Sequence, residues 1–397
     1  MSLNSTPSAE RVHIGFFGMR NAGKSSVVNA VTGQTVSLVS EVKGTTTDSV
    51  KKAMELLPLG PVVIVDTPGV DDEGTLGRMR VKQAKLALNY CDIAVLVVDA
   101  TKGLCEADKE LISSFESKNI KYIIAYNKAD LLENVPKQDG NSIYVSAAKE
   151  TNIYELKQML SEQLKDGENT KKIVADLIEP NDSVVLVIPI DESAPKGRLI
   201  LPQQQVIREI IECSAFAVAC RDTELKQALD SLRSKPRLVI TDSQAFSKVS
   251  KLVSEDIPLT SFSILFARYK NDLVRVVHGA YRLDELNDGD RILISEGCTH
   301  HRQCNDIGTV KMPNWIRNYT KKNIEFDFTS GKDFPEDLSQ YSLIIHCGAC
   351  MLNAREMHYR AGLADDFKVP MTNYGTAIAH MNGILKRSVE LFPEVSY

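Results

Sequence analysis

The stretch Gly18-Met19-Arg20-Asn21-Ala22-Gly23-Lys24-Ser25 constrains this chain more than any other. It follows an apolar run, HIGFFG at 13–18, and precedes a helically spaced segment, SSVVNAVTG. A G-x-x-x-x-G-K-[ST] loop in that setting turns backbone N–H groups onto phosphate oxygens at a helix N-terminus. Lys24 adds a point charge, and the Ser25 hydroxyl can hold Mg2+. The runs VVIVD (62–66), IAVLVVD (93–99), YIIAYN (122–127) and IYVS (143–146) read as further buried parallel strands. MRVKQAKLALNY and ADKELISSFESK have helical spacing between them, so the expected fold is α/β with a doubly wound sheet.

Polar motifs recur where these strands end. Asp66-Thr67-Pro68-Gly69 offers a carboxylate that reaches Mg2+ through water and a glycine able to sense a γ-phosphate. In Asn127-Lys128-Ala129-Asp130, the Asp130 carboxylate can accept the N1–H and 2-amino donors of guanine, which adenine does not offer. Ser146-Ala147-Ala148 stands where a base-closing loop belongs. In this order the motifs resemble the translation-factor-like class of GTPases.

Two details narrow the resemblance. Val70 occupies the position after Gly69, where Ras-like proteins place a water-orienting Gln, and it has no polar group. Asn21, together with Gly44-Thr45-Thr46-Thr47-Asp48, resembles the TrmE type of tRNA-modification GTPase. The resemblance implies that Asn21 coordinates K+, supplying transition-state charge when two GTPase domains meet, and that Thr46 is a Mg2+ ligand beside Ser25. GTP would be held by Asn21, Ala22, Gly23, Lys24, Ser25, Ser26, Thr45, Thr46, Asp66, Gly69, Asn127, Lys128, Asp130, Ser146, Ala147 and Ala148. Lys24, Thr46, Asp66 and Gly69 would act at the γ-phosphate.

The polar stretch KDGENTKK (165–172) reads as a linker or frayed helix end. Beyond it VVLVIPI (184–190), AFAVAC (215–220) and RLVIT (237–241) alternate with the helical patterns QQQVIREIIEC, TELKQALDSLR and SQAFSKVSKLV. That is a second α/β unit without a phosphate loop. A third begins near Tyr269, with RILISEG (291–297), NIEFDF (323–328) and YSLIIHCG (341–348) as strands and GTAIAHMNGILKRSVELF among its helices. There is no solenoid-type repeat. The expected division is 1–168, 169–268 and 269–397.

Cys347-Gly348-Ala349-Cys350 is a C-x-x-C directly after a strand, and Cys298-Thr299-His300-His301 follows another strand. Parallel pairing of those strands would bring three thiols to one sheet edge, and soft thiolates favour iron–sulfur clusters or Zn2+. C-x-H followed by H-C-x-x-C, after a TrmE-like domain, resembles the maturation GTPases of [FeFe]-hydrogenase along the whole chain. The Pro370-Met371-Thr372-Asn373-Tyr374-Gly375 stretch is part of that likeness.

That resemblance implies a homodimer, or a higher oligomer, joined through the middle segment. It also implies a [4Fe–4S] cluster on Cys298, Cys347 and Cys350, a diiron precursor as cargo, and [FeFe]-hydrogenase and the radical-enzyme maturases as partners. Three thiolates leave one iron open, and sequence does not choose between His300, His346 and neither for it. Cys304 reads as a bystander, Cys91, Cys105, Cys213 and Cys220 as packing residues, and His278, His358 and His380 as structural or surface-exposed.

Composition limits the alternatives. With 43% hydrophobic and 25% charged residues the chain is ordinary for a globular protein, so global disorder is not expected. No apolar run reaches the roughly 18 residues of a membrane span, and no secretory leader is evident, so a cytoplasmic location is expected. The net charge is −5, and Lys270–Tyr397 carries 17 acidic against 15 basic residues, which argues against nucleic acid as a partner. An RNA- or tRNA-directed GTPase and a GTPase with a structural zinc site are the alternatives.

Overall fold

A computed structural model describes residues 7–34, 50–69, 74–137, 140–165, 171–190, 199–297, 306–331 and 333–395. The chain folds as two compact units, Met1–Asn169 and Thr170–Tyr397.

The first unit runs β1 (Val12–Phe17), α1 (Lys24–Thr32), β2 (Val50–Leu56), β3 (Gly60–Asp66), α2 (Gly74–Leu88), β4 (Ile93–Asp99), α3 (Glu106–Ser117), β5 (Lys121–Asn127), β6 (Ser142–Tyr144) and α4 (Ile153–Lys165). Its sheet has the order β2-β3-β1-β4-β5-β6. All pairs are parallel except β2 with β3. The sheet is buried on both faces: Ile14, Phe16, Val95 and Val97 pack towards one helical layer, and Phe17, Ala94, Leu96 and Val98 towards the other. This is the two-sided covering that a parallel sheet requires. β2 was not expected, because its VKKAMEL mixes charge with apolar residues and gives no buried run.

The second unit holds two sheets. The first is built from β7 (Ser183–Val187), α5 (Leu201–Glu212), β8 (Phe216–Cys220), α6 (Leu225–Ser231), β9 (Leu238–Thr241), α7 (Phe246–Leu252), β10 (Leu259–Ser261) and α8 (Phe262–Lys270). After α9 (Leu273–Tyr281), the other comprises β11 (Arg291–Glu296), α10 (Met312–Thr320), β12 (Glu325–Ser330), β13 (Leu343–His346), α11 (Ala354–Asp366), β14 (Met371–Asn373), α12 (Tyr374–Met381) and α13 (Leu385–Val389). The long C-terminal helical pattern thus forms two helices, broken at Asn382 and Gly383, where Gly383 has φ +70°.

These sheets repeat one topology, β8-β7-β9-β10 and β12-β11-β13-β14, all parallel. The likeness extends to single hydrogen bonds. Val239 N donates to Pro258 O and Ile344 N to Pro370 O, each at 2.9 Å. Asp242 N donates to Val187 O at 3.2 Å, and Cys347 N to Ser295 O at 2.9 Å. Ser261 caps α8 through Ile264 N, and Asn373 caps α12 through Thr376 N. Cys347 therefore stands where the other module has Asp242. The repetition lies in the backbone, with Pro-Leu-Thr-Ser-Phe at 258–262 and Pro-Met-Thr-Asn-Tyr at 370–374 as its clearest trace in sequence.

The two modules share apolar packing. Ala379, Leu385, Val389, Phe392 and Val395 join the core formed by β7, β9, α7 and α8. The boundary expected at 268–269 falls inside α8, whose residues belong to this common core. Of the four cysteines expected to pack, Cys91 is buried, Cys213 and Cys220 are half-buried, and Cys105 is exposed at the N-cap of α3. Phe392 is 1% exposed and lies 5.1 Å beneath the Arg268 guanidinium. Replacing it with alanine is expected to lower the stability of the second unit by about 3–5 kcal/mol. Denaturant unfolding should show that loss with the transition of the first unit unchanged.

Candidate nucleotide site and metal centre

The glycines of the phosphate loop are set by close approach as well as by backbone geometry. Gly18 has φ +146°, and a side chain there would strike Val97 O. Gly23, at φ +86°, closes the loop ahead of α1, and a Cβ would meet Asn127 Nδ2. Asn21 also takes a positive φ, +65°, a conformation that asparagine tolerates. Ser25 and Ser26 open α1 and are exposed at its N-terminus, where unpaired N–H groups favour an anion.

Parallel register brings the other groups to this loop. Phe16 pairs with Asp66 across β1 and β3, so Asp66 emerges beside the loop and its carboxylate forms a buried ion pair with Lys24 Nζ. Thr67 anchors the turn, with Oγ1 donating to Phe16 O at 2.7 Å. Gly69 packs on Arg20, whose Cα would lie 3.1 Å from a Cβ at Gly69.

Asn127 is 3% exposed and ties three segments together. Its Nδ2 donates to Ala22 O and its Oδ1 accepts from Ala147 N, each at 3.1 Å. Lys128 Nζ reaches Asn21 O at 2.9 Å and Asp99 Oδ2 at 2.6 Å. Burial alone would raise the Asp99 pKa, but the hydrogen bonds from Lys128 and Thr101 carry it below the usual carboxylate range. Asp130 Oδ1 accepts from Ser146 Oγ at 2.6 Å, a bond that keeps its carboxyl ionised to lower pH than usual. Ala148 is exposed beside them. The expected guanine acceptor and its closing loop are thus side by side. Thr45, Thr46 and Val70 lie outside the described residues.

In the second unit, β11 and β13 pair with Ser295 opposite His346. Gly297 therefore meets Cys347, and its N–H points to Cys347 Sγ at 3.1 Å, with Ala349 N 3.4 Å from the same sulfur. Cys298, next in the chain, lies outside the described residues, as do His300, His301 and Cys304. Among the described residues no group of three or more His, Cys, Asp or Glu is placed to hold a metal.

The donor set nevertheless fits a thiolate-bound group, since amide hydrogens directed at sulfur stabilise the charged form. Burial pushes the Cys347 thiol up to about 11, with the Gly297 and Ala349 amides opposing that rise. Burial also raises Cys350, and the Lys270 cation pulls it back down. Binding a soft cation would displace both protons. Lys270, 4% exposed at the end of α8, donates to Ala349 O at 3.0 Å, Cys350 O at 3.4 Å and Leu352 O at 2.9 Å. Sequence reading missed Lys270, because one lysine eighty residues from the thiol turn carries no motif. His346 is buried at the strand end, and burial together with the Arg360 cation lowers its pKa to about 3.

The model of the hydrogen maturase F (HydF) dimerization domain matches residues 173–271, and that of the hydrogen maturase F tetramerization domain matches 274–391. Together they cover more than half of the chain. This chain belongs to the hydrogen maturase F family. The model of the 50S ribosome-binding GTPase matches residues 13–128, the span that holds the phosphate loop.

Curated relatives match about a third of this chain. A tRNA modification GTPase MnmE of Nitrosospira multiformis is 31% identical over 162 residues, 39% of this chain and 35% of its own. A GTPase Der of Kosmotoga olearia is 34% identical over 134 residues, 32% of this chain and 30% of its own. The chain thus spans about a third of the length of these relatives. The crystal structure of Era in complex with MgGDPNP and a segment of 16S ribosomal RNA is 20% identical, covering 53% of this chain and 94% of that one at a TM-score of 0.34.

The ties made by Asn127 yield a direct expectation. Asn127→Ala orphans Ala22 O and Ala147 N, at about 1–3 kcal/mol for each partner left buried. Thermal unfolding of the nucleotide-free protein should show the first unit destabilised accordingly.

Proposed function

We propose that this chain is a GTP-hydrolysing iron–sulfur scaffold that assembles or delivers the diiron subcluster precursor of [FeFe]-hydrogenase, with GTP as a switch. Membership of the hydrogen maturase F family supports the maturation role. The observation that carries the scaffold reading is the Cys347 turn, where backbone amides face sulfur and the carbonyls are drawn away by Lys270.

In the nucleotide site, Lys24 would exchange Asp66 for phosphate oxygens. Ser25 and Thr46 would hold Mg2+, with Asp66 acting through water. Gly69 would report the γ-phosphate, and Asp130 would select guanine. Asn21 would ligate K+ and so supply the charge that Val70 cannot. If so, K+ in place of Na+ stimulates GTP hydrolysis, and Asn21→Ala abolishes that stimulation while GTP still binds. Equal rates in the two salts would refute the role.

Cys298, Cys347 and Cys350 would hold a [4Fe–4S] cluster. When bound, the cluster supplies an iron whose remaining position can be bridged to another iron complex and then released. His300 and His346 are the candidates in the chain for that position. The three-part division expected at 1–168, 169–268 and 269–397 follows these roles, with its second break moved from inside α8 to the end of that helix. Homodimerisation through the middle part is supported by β8, an edge strand whose Phe216 is 57% exposed. [FeFe]-hydrogenase and the radical-enzyme maturases are the proposed partners, in the cytoplasm. Among the described residues no helix is long and apolar enough to cross a membrane.

The deciding experiment is anaerobic purification with metal analysis and EPR before and after dithionite reduction. The expected result is about four irons per chain and a reduced-cluster signal. Both should be lost in Cys298→Ala, Cys347→Ala and Cys350→Ala. Stoichiometric zinc with no reconstitutable iron would sink the scaffold reading.

A further inference from the structure

His346 has both ring nitrogens engaged. Its Nδ1 lies 2.9 Å from the carbonyl oxygen of Cys347, and its Nε2 lies 3.0 Å from a terminal nitrogen of Arg360. A guanidinium offers only donors, so Nε2 must accept and Nδ1 must carry the proton given to Cys347 O. Arg360 is itself fully buried and held on every side. It donates to Glu356 Oε1 at 2.9 Å, Ser295 Oγ at 3.2 Å and Gly331 O at 2.7 Å. Its partners thus come from α11, from β11 and from the residue after β12, as well as from β13.

We propose that Arg360 and His346 form a fixed relay that positions the turn carrying Cys347 and Cys350, and that His346 acts on the thiols through the backbone instead of ligating iron. The inference rests on that turn being the cluster site. The repeated module supplies an independent argument. Thr241 ends β9 as His346 ends β13, and its hydroxyl donates to Asp242 O at 3.2 Å. The same carbonyl is therefore pinned in a module with no thiol at that turn, so pinning it is a property of the architecture.

Lys270 holds the later carbonyls of the turn, and His346 holds the first. With the backbone oxygens drawn off, the amides of Gly297 and Ala349 are left for Cys347 Sγ. An imidazole that turned to iron would strip a buried guanidinium of an acceptor, a loss that water or another outside ligand does not incur. The open iron position then belongs to a group other than His346.

Nitrogen NMR on metal-free protein labelled with 15N-histidine reads the ring directly, with H346Q assigning the signals. Nε2 of His346 is expected to be the unprotonated nitrogen and Nδ1 the protonated one. A protonated Nε2 overturns the relay whether or not iron binds. The cluster is then reconstituted in the wild type, H346Q, R360M and the double variant. Gln offers Arg360 an acceptor but no imidazole, so H346Q should keep its iron and its reduced-cluster spectrum. R360M should lose iron to a chelator about 10-fold faster or more, and the double variant no faster than R360M. A histidine 14N coupling present in the wild type and absent in H346Q overturns the proposal. So does a double variant that loses iron several-fold faster than R360M. A wild type that takes up no iron counts against the cluster reading, while the nitrogen measurement still decides the relay.

Discussion

Parallel strand pairing sets the carboxyl ends of neighbouring strands side by side, and the chemistry of this chain depends on that placement. Phe16 opposite Asp66 puts the carboxylate beside the phosphate loop, so that an ion pair with Lys24 spans residues 42 apart in sequence. Ser295 opposite His346 puts Gly297 against Cys347 across 50 residues. An antiparallel partner would have sent the following residues away from each other. Ligand sites at the carboxyl ends of open α/β sheets follow from this geometry, and it recurs in both units.

The second unit uses one fold twice and does not keep the copies apart. Helices from the C-terminal end fill the core under the middle sheet, and α8 of the middle module ends in the lysine that holds the thiol turn. The turn is thus braced by the end of α8, which packs in the core shared with the middle sheet, as well as by residues of its own sheet and helices. Changes in the middle module, where copies of the chain are proposed to meet, have a short covalent and packed route to the thiols. At the corresponding turn of the other module Asp242 replaces Cys347, and its side chain caps the next turn instead.

Most of the legible strands are buried on both faces, because burial demands continuous apolar runs such as IAVLVVD, which matches β4 from end to end. The part-exposed edges β8 and β12 showed through AFAVAC and NIEFDF. β10 and β14 escaped notice since Leu-Thr-Ser and Met-Thr-Asn hold one apolar residue each and show no run, although each closes its sheet. β2 escaped because an edge strand can carry lysines. Among polar residues the split has a similar cause. Gly18, Lys24, Asp66, Asn127 and Asp130 stand in motifs, since backbone, phosphate and base impose fixed local spacings. Lys270 and Arg360 meet their partners only through packing and stand in no motif at all.

The sequence by itself determined the phosphate loop, its companions at strand ends, the α/β rhythm and the pairing of thiols in a C-x-x-C, all features of local spacing. Only the tertiary structure decided that the second unit repeats one module, that the two copies share a core, and that Lys270 and Arg360 converge on the thiol turn. It also decided the state of the His346 ring. Whether an imidazole is free to bind a metal depends on which donors and acceptors surround it. Those neighbours are the carbonyl of Cys347 and the Arg360 side chain, which α11, β11 and the residue after β12 hold in place.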